Sequence, residues 1–325
     1  MSEGPARESA APAHGAGGHG PTAVDTAVCA VVVTYSPDLE RLDPLLTALG
    51  AQCARVVVVD NGPGGSGLEA ACERHGAELV ALGENTGIAN AQNVGIERAV
   101  ADGATHVLLS DQDSLPAPDM VAELLAGLDR GEGQGRGPVG AVGPVAGDVR
   151  SETEELVYVS RRWGPRRARP DEVDDDGLID AAFLIASGCL VPAAVLERVG
   201  PMNADWFIDH VDLEWGLRAR RAGYRLLAVT TARLDHALGD SLVKLPGRAQ
   251  EVHVHSAFRT YFLARNTVLL LRSGLLPPAW AVGYAVWLGK YVAFNSLLVP
   301  GRIDRARRMM RGVVDGVLGR TGPAR

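Results

Sequence analysis

The 325-residue sequence is short of several features that would each have fixed a class. Its four cysteines, Cys29, Cys53, Cys72 and Cys189, include no CxxC pair, which excludes a disulfide framework and a zinc knuckle and suits buried thiols in a reducing compartment. It lacks a basic excess: 32 Lys and Arg against 39 Asp and Glu give a formal charge of -7, the wrong sign for a nucleic-acid binder. No apolar run of membrane-spanning length is uninterrupted; the nearest, Pro277 to Val299, is broken by Lys290 and Asn295. Met1 to about Thr22 has almost nothing to bury and no signal-peptide core, which predicts a disordered tail over residues 1–22 and a cytoplasmic chain.

What is present is an ordinary globular composition, 46% apolar and 22% charged, enough for one large domain or two modest ones. From Val28 short β-branched runs alternate with helical patterns: CAVVVTY, a helix over Leu39 to Leu49, RVVVVD ending at Asp60, a helix near Leu68 to His75, a weak strand near Leu79, a helix from Gly87 to Ala101, and a strand from His106 to Ser110. This predicts a doubly wound α/β half whose ligand lies at the carboxyl ends of the strands. A helix over Ala117 to Leu128, a glycine-rich break over Gly131 to Gly137 and a strand near Val139 to Val145 follow. Arg150 to Asp180 is a polar insertion with two charge blocks, read as solvated loop. Later come an acidic island opening a helix that ends near Ala222, a strand over Tyr224 to Thr230, and a helical last third from His253.

Five places carry residue types that packing alone does not demand. Asp60 and Asn61 close a buried strand and open a glycine turn, a setting for nucleotide recognition or for side chains bonding only their own backbone. ENTGIANAQNVGI sets Gly87 at a helix start, where free N–H groups can face a phosphate, with Asn90 and Asn93 on one face; a capping Asn85 and a close-packed Gly95 are the bland reading. Asp111 and Asp113 stand at i and i+2 beyond a buried strand, where a hard cation would relieve their repulsion, although Asp113 can equally cap the next helix. In FIDHVDLEW, Asp209, Asp212 and Glu214 lie at a helix start favoured by the dipole, and Trp206 and Trp215 are core or sugar platforms. His236 alone reads as a hydrogen-bonded structural residue, as do His253 and His255.

Taken in order, Val31 to Tyr35, VVDNG, NTGIANAQNVGI, Asp-Gln-Asp and FIDHVDLEWGLRARRAGY resemble the family 2 inverting glycosyltransferases of GT-A fold, and among them the bacterial rhamnosyltransferases, over roughly Ala27 to Asn266. The resemblance implies a Rossmann-like mixed α/β sheet flanked by helices over residues 23–252 and a helical region over 253–325. It implies that Thr34, Tyr35 and Asp60, with Asn61, surround the base and ribose of a nucleotide sugar, that Asn85, Gly87 and Asn93 lie near its diphosphate, and that Asp111 and Asp113 hold Mg²⁺ or Mn²⁺, with His236 able to complete the shell. The expected donor is dTDP-rhamnose, with UDP-galactofuranose or a non-catalytic binding protein as rivals, and the expected acceptor is a glycan or lipid-linked hydroxyl. Many relatives have Glu-Asp where this chain has Asp209-His210. With three acids expected to hold His210 protonated, Asp209 becomes the expected base and Asp212 the positioning acid. Trp280, Tyr284, Trp287, Tyr291 and Phe294, at helical spacing ahead of five arginines, predict a peripheral membrane contact in the C-terminal region.

Overall fold

The computed structural model describes residue 1 and residues 26–148, 157–236, 241–243 and 252–324. The expected disordered tail therefore falls outside the described residues. In chain order the elements are β1 (Val28–Thr34), α1 (Leu39–Gly50), β2 (Arg55–Asp60), α2 (Leu68–Arg74), β3 (Glu78–Ala81), α3 (Ile88–Ala101), β4 (His106–Asp111), β5 (Ser114–Pro116), α4 (Met120–Gly133) and β6 (Val139–Asp148). There follow β7 (Tyr158–Arg161), β8 (Gly164–Arg167), β9 (Leu178–Asp180), β10 (Leu190–Pro192), α5 (Ala193–Val199), α6 (Val211–Arg221), β11 (Arg225–His236), β12 (Ser241–Val243), β13 (Val252–Val254), α7 (Ala257–Arg272), α8 (Pro278–Leu297) and α9 (Arg302–Val317).

One sheet runs β3-β2-β1-β4-β10-β6-β11-β5, with β9 also on β11. β1 to β4 are mutually parallel where they pair, and β10 runs antiparallel between β4 and β6, so the sheet is mixed as expected for a GT-A fold. Continuous valine runs with both faces covered explain why the parallel half is buried throughout. Helix α3 lies close on it because Gly95 carries no side chain where Val31 and Val59 pack. The register sets Thr34 level with Asp60 and Val33 level with Asp111, which brings three strand ends to one edge.

Several elements differ from the sequence reading. Helix α4 continues to Gly133, into the start of the expected glycine break, because Gly131 leaves room for Leu227 and Val139 against the helix. The polar insertion holds a hairpin, β7 with β8, and Arg161 at its corner pairs with Glu172. Trp206 and Trp215 are core, the latter donating Nε1–H to the Gly200 carbonyl at 3.0 Å. The aromatic stripe of α8 is only partly covered, with Tyr284, Tyr291 and Phe294 half-buried and Trp287 38% exposed. Trp280 is buried and donates to the Arg161 carbonyl at 2.7 Å, and Trp287 stacks on Tyr291 with ring centres 5.0 Å apart.

Candidate active site

The edge formed by β1, β2 and β4 opens into a cleft of about 670 Å³, closed on the far side by the FIDH segment before α6 and by the first turn of α7. It brings together Thr34, Tyr35, Asn61, Asn85, Asp111, Asp113, Asp209 and Asp212 from the sequence reading. Tyr35 is half-exposed on the rim, and Gln112 clasps its backbone, accepting from the Tyr35 N–H at 2.7 Å and donating to its carbonyl at 3.3 Å. The middle residue of the acidic triplet thus joins β1 to β4 across the cleft mouth.

Three expected donor-binding residues lie outside the cleft lining. Asp60 is 2% exposed and accepts from the Thr34 hydroxyl at 3.2 Å, supporting the strand edge from beneath. Asn93 is a clamp: its amide donates to the Met202 carbonyl at 2.9 Å and accepts from the Met202 N–H at 2.8 Å, tying α3 to the segment ahead of α6. The Gly87 N–H goes to Asn85 at 3.0 Å and the Ile88 N–H to the Phe207 carbonyl at 2.7 Å, so those two groups do not face a phosphate. Gly87 is required for a different reason. Its φ is +91°, and a Cβ there would lie 2.7 Å from the Phe207 carbonyl oxygen. Gly87→Ala is accordingly expected to destabilise the fold by about 2 kcal/mol and to lower turnover by displacing the FIDH segment. Chemical denaturation together with a transfer assay checks both.

The FIDH segment is under backbone strain. Phe207, Asp209 and His210 have φ of 65°, 67° and 62°, a cluster of left-handed residues of the kind that persists where surrounding structure over-determines it. Here α7 does so. The buried Asn266 amide donates to the carbonyls of Trp206, Ile208 and Asp209 at 2.9, 2.7 and 3.0 Å, and Arg265 donates to Trp206 at 3.0 Å. Gly95 and Asn93 hold the other side of the cleft through α3, so the site rests on two helices.

The charges within it differ from expectation. Asp209 does not stand free in the cleft: Arg259, from the first turn of α7, pairs with it at 2.6 Å, and its side chain is 4% exposed. His210 is held neutral. Burial pushes its imidazole down to about 4 against the upward pull of Asp209, with His255 adding to the fall. The three neighbouring acids do not keep it protonated, because desolvation outweighs the attraction of Asp209. Its Nε2 lies 3.0 Å from the Thr267 hydroxyl, and its ring meets Trp287 edge-on at 6.1 Å. Asp212 has the opposite character. Burial raises its carboxyl to about 6; the Leu213 N–H opposes the rise, while the charges of Asp111 and Asp209 add to it. No arginine or lysine pairs with Asp212 among the described residues.

Asp111 and Asp113 offer two hard oxygen donors in the same cleft, a set that suits a divalent ion whose remaining ligands are water and diphosphate oxygens. Among the described residues no group of three His, Cys, Asp or Glu forms a preassembled metal cluster. His236 ends β11, paired with Ser114 in the strand beside the triplet, but its side chain lies outside the described residues. Sequence reasoning missed Gln112, Arg259 and Asn266, and left out His255, which lines the cleft. The only sequence signal for Arg259 and Asn266 was the cluster of polar residues in RTxxxARNT within an otherwise apolar helix.

Comparison with known proteins bears on the family and the fold. A family model, glycosyl transferase family 2, matches residues 29–184. The dTDP-rhamnosyl transferase RfbF of Shigella flexneri is 30% identical over 304 residues, spanning 92% of this chain and 98% of its own. Among solved structures, residues 1–349 of S. aureus TarS in complex with UDP-GlcNAc superpose with a TM-score of 0.56 at 14% identity, covering 90% of this chain and 81% of TarS. GalNAc-T7 with UDP, GalNAc and Mn²⁺ gives 0.54 at 13% identity, covering 78% of this chain and 52% of that one. At such identities the two structures speak to the fold alone. With a relative matched along almost its whole length and the carboxylates gathered at the strand ends, the chain belongs to glycosyl transferase family 2.

Proposed function

We propose that this glycosyltransferase moves L-rhamnose from dTDP-rhamnose, with inversion, onto a hydroxyl of a glycan or lipid-linked acceptor in cell-surface polysaccharide assembly. The sugar reading is supported by the end-to-end match to RfbF. The chemistry is carried by one observation: across a single cleft from the Asp111 and Asp113 carboxylates stands Asp212, a half-buried acid with no cationic partner among the described residues.

In this reading Thr34, Tyr35, Asn61 and Asn85 receive the nucleoside end of the donor, with the Tyr35 ring available on the rim for the base. Asp111 and Asp113 would hold Mg²⁺ or Mn²⁺, which when bound offsets charge on the departing diphosphate. Asp212 takes the proton from the acceptor hydroxyl as that oxygen attacks the anomeric carbon. The bond from that carbon to the diphosphate breaks on the opposite face, dTDP departs, and the proton stays on Asp212 until solvent removes it. Asp209 is a positioning acid: bound to Arg259, it fixes the turn that presents Asp212. The protein works on the cytoplasmic side; no helix among the described residues is long and apolar enough to cross a membrane.

The test is donor hydrolysis and transfer with dTDP-rhamnose beside UDP-galactofuranose and UDP-GlcNAc, with and without chelator. Turnover of dTDP-rhamnose that chelator abolishes and Mn²⁺ restores is expected, as is loss of that turnover in Asp113→Ala. Preference for a UDP-sugar would overturn the donor assignment, and full activity of Asp113→Ala in chelator would overturn the metal.

A further inference from the structure

The last helix carries a surface that the site does not use. Helix α9 packs on α7 through Met309, Gly312, Asp315 and Gly316, all buried, with Gly312 and Gly316 leaving space for the α7 backbone at Tyr261 and Arg265. Its opposite face shows Ile303, Met310, Val314 and Val317 at 66%, 54%, 50% and 58% exposure. Their spacings of seven, four and three residues place all four on one stripe of an α-helix. Leu297 and Leu298, 67% and 62% exposed, end α8 immediately before it, and Leu318 extends it at 58%. Aliphatic side chains this exposed and this aligned are unlike the scattered apolar residues of an ordinary surface.

The charges bordering the stripe select its occupant. Between residues 301 and 320 there are six arginines and two aspartates, in a chain whose formal charge is -7. Asp315 is buried and bonded to Tyr261 and Arg320, and Asp304 pairs with Arg308. Arg302 and Arg307 are exposed and make no ion pair among the described residues. Two copies meeting through this face would set arginines against arginines. An anionic bilayer meets both demands, because the aliphatic stripe enters the acyl boundary while the arginines reach the headgroups.

We propose that α9, with the α8–α9 corner, lies in the surface of an anionic membrane and holds the enzyme there. The face is distinct from the partly covered aromatic stripe of α8, and the proposal stands whichever sugar the enzyme transfers.

The experiment is sedimentation of the full chain with vesicles of phosphatidylcholine alone or doped with phosphatidylglycerol. Binding only to the anionic vesicles, weakened by salt, is expected. Arg302→Gln with Arg307→Gln should lower the partition coefficient about 25-fold, at about fivefold for each arginine near an anionic surface. Ile303→Ser with Val314→Ser should also release the protein, with melting midpoint and donor hydrolysis unchanged because both positions are exposed. The unaltered protein gives an independent reading through its adjacent methionines: Met310 is 54% exposed and Met309 is 0% exposed. Anionic vesicles should slow peroxide oxidation of Met310, and neutral ones should not. Failure of the intact chain to sediment, equal binding to both vesicle types, or unprotected Met310 would overturn the proposal. So would a dimer in solution that Ile303→Ser with Val314→Ser converts to monomer.

Discussion

Asp212→Asn is expected to lower transfer by about 10²- to 10⁴-fold, the usual worth of a positioned general base, while leaving dTDP-rhamnose affinity within a few-fold of the parent. Asp209→Asn should cost less, on the order of tenfold, because it loosens the pair with Arg259 at 2.6 Å without removing the proton acceptor. The reason for ranking them so is that a base must be uncommitted. The carboxylate of Asp209 is held by a guanidinium, whereas Asp212 accepts only from its own turn and sits at about 6. The acid limb of kcat/KM should accordingly bend near pH 6, with activity lost as the pH falls and Asp212 takes up its proton. Cys189 and Tyr284, two further titratable neighbours of Asp212, are both pushed upward by burial and stay neutral through that range. Full turnover in Asp212→Asn with loss in Asp209→Asn would reverse the assignment.

The same substitution carries a stability signature. The native carboxyl of Asp212 is raised from 3.8 to about 6, so over that interval the native state binds a proton that the unfolded chain does not. Its ionisation therefore costs nothing below the unfolded value and destabilises progressively as the pH rises through 6. Asp212→Asn removes that cost. The variant should be more stable than the parent at pH 7, on the order of 2–3 kcal/mol, and equal to it near pH 4. A gain of stability accompanying a loss of turnover, read by denaturant unfolding at the two pH values, separates an acid kept for chemistry from one kept for structure.

How much of this was legible in the sequence depended on whether the deciding contact was local. The valine runs of β1 and β2 and the Asp-Gln-Asp triplet at the end of β4 state their own environment, since a β-branched run between glycine turns has few places to go but the sheet centre. Gly87 and Asn93 were visible as unusual, yet their partners, Phe207 and Met202, lie more than a hundred residues away in sequence, so spacing suggested a phosphate where the fold supplies a clamp. The choice between Asp209 and Asp212 turned on Arg259, fifty residues on, and the protonation of His210 on burial that no count of neighbouring charges reveals. Periodicity found the aromatic stripe of α8 but could not say which side of the helix would be covered.

Asn266→Ala is expected to lower turnover by about 10²-fold, although Asn266 touches no substrate in the proposed mechanism. Its single amide group shares two hydrogens among the carbonyls of Trp206, Ile208 and Asp209, the stretch in which Phe207, Asp209 and His210 all take left-handed φ. Those conformations cost on the order of 1–3 kcal/mol each and are held by what surrounds them. Alanine leaves three buried acceptors with less than their share of donors, which should destabilise the fold by about 1–3 kcal/mol. The segment can recover that energy only by relaxing its backbone, and relaxation moves the start of α6 and with it Asp212. Turnover should therefore fall by more than the folded fraction falls, with donor affinity retained because Thr34, Tyr35 and Asn61 belong to the other wall of the cleft. Asn266→Asp sharpens the test: the shape is kept, but a carboxylate set against three carbonyls repels where the amide donated, so it should be worse than alanine on both counts. If either variant loses stability yet transfers sugar at the parent rate per folded molecule, α7 only props the domain and does not aim the base.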